Sequence, residues 1–122
     1  MPSEEERKQI ALTYCRQVSE GEVEALVGLF AADATVEDPV GGDPVTGHAA
    51  LREFYGKVVG QVEVEPGAGR AGQDGSSVAL PITVRVELDG QPREIAAIDL
   101  FEIDEAGKIT RMRSYWGTSD VA

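Results

Sequence analysis

Apolar residues near the start of the chain recur every three to four positions, the period of a helix with one buried face. Ile10, Tyr14 and Val18 fall at four-residue spacing, with Ala11 and Cys15 beside them. The inward stripe of this first helix therefore carries a phenol. Ser3 followed by Glu6 is a capping-box start, and Gly21 is a stop signal. Val23, Leu26, Val27 and Phe30 continue the period into a second helix. Ala34 to Asp38 reads as extended, because Pro39 disfavours helical backbone at Asp38. Alternation puts Asp38 on the side of Ala34 and Val36. A loop rich in Gly and Pro runs to Gly47, after which Leu51, Phe54, Tyr55 and Val58 mark one face of a third helix.

From Gln61 onward the period changes to two. Ile82, Val84, Val86 and Leu88 alternate with Thr83, Arg85 and Glu87, as in a half-buried strand. Asp89-Gly90 is a hairpin signal. The strand after it places Ile95, Ala97, Asp99, Phe101 and Ile103 on one face. Asp104 to Gly107 marks a turn, and a last strand runs from Lys108 to Trp116. Met112, Ser114 and Trp116 share one of its faces, and Arg111, Arg113 and Tyr115 the other. This order predicts a single α+β domain over residues 1–122. Three N-terminal helices pack on one face of a mainly antiparallel sheet. A sheet that curves around them leaves a pocket between the layers.

Asp99 is the anomaly in this pattern. Four apolar side chains share its face, and an ionised carboxylate without a partner is costly to bury. Such a group takes up a proton instead, and a neutral acid in an apolar pocket donates a hydrogen bond near pH 7. Tyr14 and Asp38 are unremarkable taken singly. Together, a phenol and two carboxyls occupy the apolar stripes of separate elements that face one interior, which points to a single polar site.

Composition narrows the partners. The 122 residues include 42% hydrophobic ones, enough for one modest core, and no apolar run long enough for a spanning helix. Eleven basic against 22 acidic residues give −11, a field that repels nucleic acid and anionic membranes but tolerates a neutral small molecule. The acidic N-terminus lacks the apolar core of a secretory signal, and Cys15 is the only cysteine, so a cytoplasmic setting is the expectation. Gly67 to Gly72 fits G-x-G-x-x-G but leads into a strand rather than a helix, so it reads as a turn region. His48 is the only histidine, and metal-ligand spacing is absent.

With Asp38 ionised and Asp99 neutral, the set suits proton transfer next to a carbonyl. Asp38 removes a proton from carbon and returns it elsewhere. Tyr14 and Asp99 donate hydrogen bonds to the oxygen that becomes an enolate. The loss of one such donor typically raises the barrier by about 3–4 kcal/mol. No cofactor, metal or covalent intermediate is required.

The stretch Gly28 to Gly41, which contains Glu37-Asp38-Pro39, resembles the base segment of the bacterial ketosteroid isomerases (steroid delta-isomerases) of the nuclear transport factor 2-like superfamily. Leu51-Arg52-Glu53-Phe54-Tyr55, Ile98-Asp99 and Arg111-Met112-Arg113 also resemble that family, so the likeness covers nearly the whole chain. Those enzymes are themselves the standard example of a carboxylic acid held neutral for catalysis. The resemblance implies a conical, strongly curved sheet and a homodimer. It implies that Asp38 carries a proton from C4 to C6 of a 3-oxo-Δ5-steroid while Tyr14 and Asp99 hold the C3 oxygen. Tyr55 is then the hydrogen-bond partner of Tyr14, and Phe54, Val84, Phe101, Met112 and Trp116 line the steroid cavity. Phe30 stands where some members extend the network with a further tyrosine. The competing readings are a polyketide cyclase or epoxide hydrolase on the same fold, and a small-molecule binding protein without catalysis.

Overall fold

The computed structural model describes residues 1–122. Helix α1 (Glu4–Glu20) starts at the Ser3 capping box, where Glu6 N–H donates to Ser3 Oγ and Glu6 Oε1 accepts from Ser3 N–H. It ends at Gly21, whose N–H donates to the Gln17 carbonyl. Helix α2 (Val23–Val27) is one short turn-and-a-half, and α3 (His48–Gly56) follows Gly47. Gly47 has a φ of 88°, a backbone region that glycine enters without penalty.

The strands are β1 (Phe30–Glu37), β2 (Val45–Thr46), β3 (Glu63–Pro66), β4 (Arg70–Ala71), β5 (Ser77–Leu88), β6 (Gln91–Ile103) and β7 (Ile109–Tyr115). They form one seven-stranded sheet in the order β2-β1-β7-β6-β5-β3, with β4 paired to β5. All neighbours are antiparallel except β1 and β7, which run parallel. The architecture is α+β: three helices cover the concave face of a curled sheet. The long β5–β6 hairpin turns at Asp89-Gly90, and strict alternation buries Ile95, Ala97, Asp99, Phe101 and Ile103.

One element departs from the sequence pattern. Phe30 continues the helical spacing of α2, yet the helix stops at Val27 and Phe30 opens β1. Pairing explains the change. Phe30 lies opposite Ile109 of β7, and the Ile109 N–H donates to the Leu29 carbonyl at 2.9 Å. The strand conformation thus supplies backbone partners and still buries the phenyl ring. The Gly67–Gly72 stretch starts no helix, but it is not all turn, since Arg70–Ala71 within it pair with β5 as β4. His48 begins α3 and its Nε2 lies 2.9 Å from the Phe30 carbonyl, which ties the helix to β1. No helix is long and apolar enough to cross a membrane.

Candidate active site

The inward stripe of α1 brings Tyr14 into the core, where its ring is held edge-on by Phe30, Tyr55 and Phe101 at centroid distances of 6.1, 6.0 and 5.3 Å. Its hydroxyl lies 2.8 Å from the Tyr55 hydroxyl, and either can be the donor. Burial raises both phenols well above the usual tyrosine range, so both are neutral at pH 7.

Asp38 follows the last residue of β1, at the point where the chain leaves the sheet. Its Oδ1 accepts a hydrogen bond from Trp116 Nε1 at 2.9 Å. Asp38 is half-buried at this strand end, with the Trp116 indole against it. Burial therefore raises its pKa, and the indole donor partly opposes that shift.

Asp99 sits mid-strand in β6, opposite Leu80 of β5 and Ser114 of β7, and is 1% exposed. Its Oδ1 has no hydrogen-bond partner. Burial pushes its pKa up to about 7, Ser114 pulls it down, and the nearby Asp38 charge adds to the rise. Asp99 thus remains substantially protonated near neutrality.

These groups share one cavity of about 120 Å³. Its polar lining is Tyr14, Tyr55, Asp38, Asp99, Ser114 and Trp116, and its walls are Val18, Val58, Val62, Val64, Ile82, Val84 and Ile95. No lysine, arginine or histidine lines it. Larger surface grooves exist, such as the one of about 750 Å³ between α1 and β3, but it is lined by Arg16, Glu20, Gln61 and Glu63 and gathers no acid–base set.

The structure brings Tyr14, Asp38, Asp99 and Tyr55 together, with Val84 and Trp116 in the same wall. Phe101 and Met112 point inward but are fully buried core residues beneath the cavity lining, and Phe54 packs edge-on against Tyr55 instead. Alternation identifies an inward side chain but not whether it ends at a void or in packing. Ser114 and Ile95 are lining residues that the sequence reading did not single out. Ser114 had a signal, since it is the one hydrophilic residue between Met112 and Trp116 on the inward face of β7.

A model described as "SnoaL-like domain" matches residues 11–112. The epoxide hydrolase LasB of Streptomyces lasalocidi is 43% identical over 98% of this chain, and this chain spans 44% of that relative's length. The steroid delta-isomerase of Nocardioides simplex is 38% identical, over 95% of this chain and 94% of its own. Among solved structures, the epoxide hydrolase/cyclase-like enzyme SalBIII, described in pyran ring formation in the polyether salinomycin, superposes with a TM-score of 0.92 at 41% identity, covering 97% of this chain and 95% of that one. A Mycobacterium tuberculosis protein in complex with estradiol-17beta-hemisuccinate superposes with a TM-score of 0.87 at 21% identity, over 96% and 98% of the two chains, a likeness of fold.

Proposed function

The chain belongs to the SnoaL-like family, and from that premise we propose that it is an isomerase moving the double bond of a 3-oxo-Δ5-steroid to the Δ4 position through a dienolate. One observation carries this reading: a single apolar cavity without cations holds a carboxyl, a neutral phenol and a buried acid that keeps its proton near pH 7. Asp38, as carboxylate, takes a proton from C4. The electron pair moves through the enol system to the C3 oxygen, where the Tyr14 hydroxyl and the Asp99 acid donate hydrogen bonds. Asp38 then returns the same proton to C6, and the conjugated ketone forms with no net change in atoms or electrons. Donors fixed in a water-poor site act most strongly on charge that develops during the reaction. The 38% identity to a steroid delta-isomerase over nearly both whole chains supports the assignment.

The cavity of about 120 Å³ takes the reacting ring. Ligand pockets commonly span roughly 300–1,000 Å³, so the rest of the substrate lies toward the half-buried Val58, Val62, Val84 and Trp116, which mark the open side. Tyr55 supports Tyr14 by its hydrogen bond.

A second reading is favoured by the 43% and 41% identities to LasB and SalBIII. The same groups suit epoxide opening: Asp99 gives its proton to the epoxide oxygen while Asp38 takes one from the attacking hydroxyl or water. Ultraviolet absorbance of the conjugated enone formed from 5-androstene-3,17-dione separates the two. Conversion by the wild type that disappears in Asp38→Asn supports the isomerase. No conversion above that variant rejects it, and ring opening of a hydroxy-epoxide followed by mass spectrometry and NMR then tests the second reading.

A further inference from the structure

Strand β7 lies between β1 and β6, so its inward face sits between the two carboxyls of the cavity. Three of its side chains or close followers point that way: Met112 into the core, then Ser114, then Trp116. Trp116 is the hydrogen-bond partner of Asp38. Ser114 is the register partner of Asp99, is 2% exposed, and lines the same cavity. Its carbonyl also accepts from Val40 N–H at 2.8 Å, which pins the turn that follows Asp38. One residue of β7 thus touches the machinery on both sides.

Asp99 has few other sources of stabilisation. Tyr14 and Cys15 face it from α1, Tyr55 from α3 and Asp38 from the end of β1, and Leu80 opposes it on β5. None of these carries positive charge. Cys15 is held neutral by burial, its thiol pushed up to about 12. Asp99 Oδ1 is buried and unpartnered. Ser114, its register partner one strand away, brings a hydroxyl onto the same buried face of the cavity.

We propose that Ser114 is a positioning residue for Asp99, its hydroxyl orienting the carboxyl and deciding how firmly that acid keeps its proton during the reaction. The proposal rests on the role given to Asp99 under the proposed function. A serine donor favours the ionised carboxylate and so works against burial, and Ser114 acts in that direction. The residue therefore sets the upper pH at which Asp99 still carries the proton it donates. An alanine there leaves a more firmly neutral acid, which still donates a hydrogen bond but parts with its proton less readily.

Carbon-13 NMR titration of aspartate side-chain carboxyls in the free protein tests this without reference to turnover, with Asp99→Asn identifying the resonance. In Ser114→Ala the Asp99 midpoint is expected to rise by about one pH unit, the scale of one hydrogen bond. Ser114→Thr, which retains a hydroxyl, is expected to restore it. The alkaline limb of the pH–rate profile moves up with the midpoint in Ser114→Ala. An unmoved midpoint overturns the proposal. So does a loss of turnover of equal size at every pH with the midpoint unchanged, the mark of a purely structural role. A midpoint that moves in a protein inactive on both steroid and epoxide sustains the Ser114–Asp99 pairing and removes the reaction assignment instead.

Discussion

Trp116 Nε1 donates to Asp38 Oδ1 at 2.9 Å, joining residues 78 positions apart at the ends of two parallel strands. The indole supplies the only hydrogen bond to this carboxyl from another side chain. It stabilises the ionised form that a base requires, against burial that disfavours it. Trp116→Phe is expected to raise the Asp38 pKa further, because the lowering influence is removed while burial persists. The base is active when ionised, so the acidic limb of the pH–rate profile moves to higher pH. Turnover near neutrality falls by roughly tenfold, as for a hydrogen bond to a charged group. A profile that merely scales, with its acidic limb in place, contradicts this role for the indole.

The Tyr14–Tyr55 hydroxyl pair leads to an asymmetric expectation. Both phenols line the cavity with Asp38 and Asp99, but in the proposed mechanism Tyr14 contacts the reacting oxygen and Tyr55 acts through Tyr14. Tyr14→Phe is expected to slow turnover by about 10²–10³, the usual loss for one donor at a developing oxyanion. Tyr55→Phe leaves the Tyr14 hydroxyl in place and is expected to cost far less in rate, with about 1 kcal/mol of stability lost with the hydrogen bond. Single-turnover rates for both variants check this. Equal losses count against Tyr14 as the contacting donor.

Much of the site was legible in the chain because strands alternate faces. The apolar face of β6 makes Asp99 conspicuous in the sequence alone, and four-residue spacing does the same for Tyr14 on α1. The Trp116–Asp38 bond was not legible. It depends on β1 and β7 lying side by side in parallel, a pairing between segments distant in sequence that no local pattern specifies. Phe30 misled for a related reason: its helical spacing is real, but pairing with β7 outweighed local preference. Phe101 and Met112 show the remaining gap, since facing inward does not distinguish a cavity wall from filled core.

The convex face of the sheet bears Ile98 and Tyr115, with 50% and 40% exposure, and Leu100 beside them at 36%. They come from neighbouring strands β6 and β7, where Ile98 and Tyr115 are register partners. Adjacent exposed apolar groups favour association over solvation. We propose a homodimer through this face. Sedimentation equilibrium is expected to give twice the chain mass, and Ile98→Glu to give the monomer with near-wild-type circular dichroism. A monomeric wild type at micromolar concentration removes the proposal.

Asp99 also links function to stability. Its pKa is pushed up to about 7 in the folded protein, chiefly by burial. An aspartate in the unfolded chain titrates near ~3.9. Between those values the folded state binds a proton that the unfolded state has lost, so this group makes folding less favourable as pH rises through that window. Its stabilising contribution is complete below about pH 4 and gone above about pH 7, a change on the order of 4 kcal/mol for one group. Asp99→Asn keeps the shape and removes the ionisation. Urea denaturation is expected to find the variant gaining on the wild type as pH is raised from 4 to 8, even though turnover falls. Asp38 is shifted in the same direction and is present in both proteins, so the difference reports Asp99 together with its coupling to Asp38. An unfolding free-energy difference between the two proteins that stays constant across this range means Asp99 is already ionised in the folded state, and its role as a proton-bearing donor fails with it.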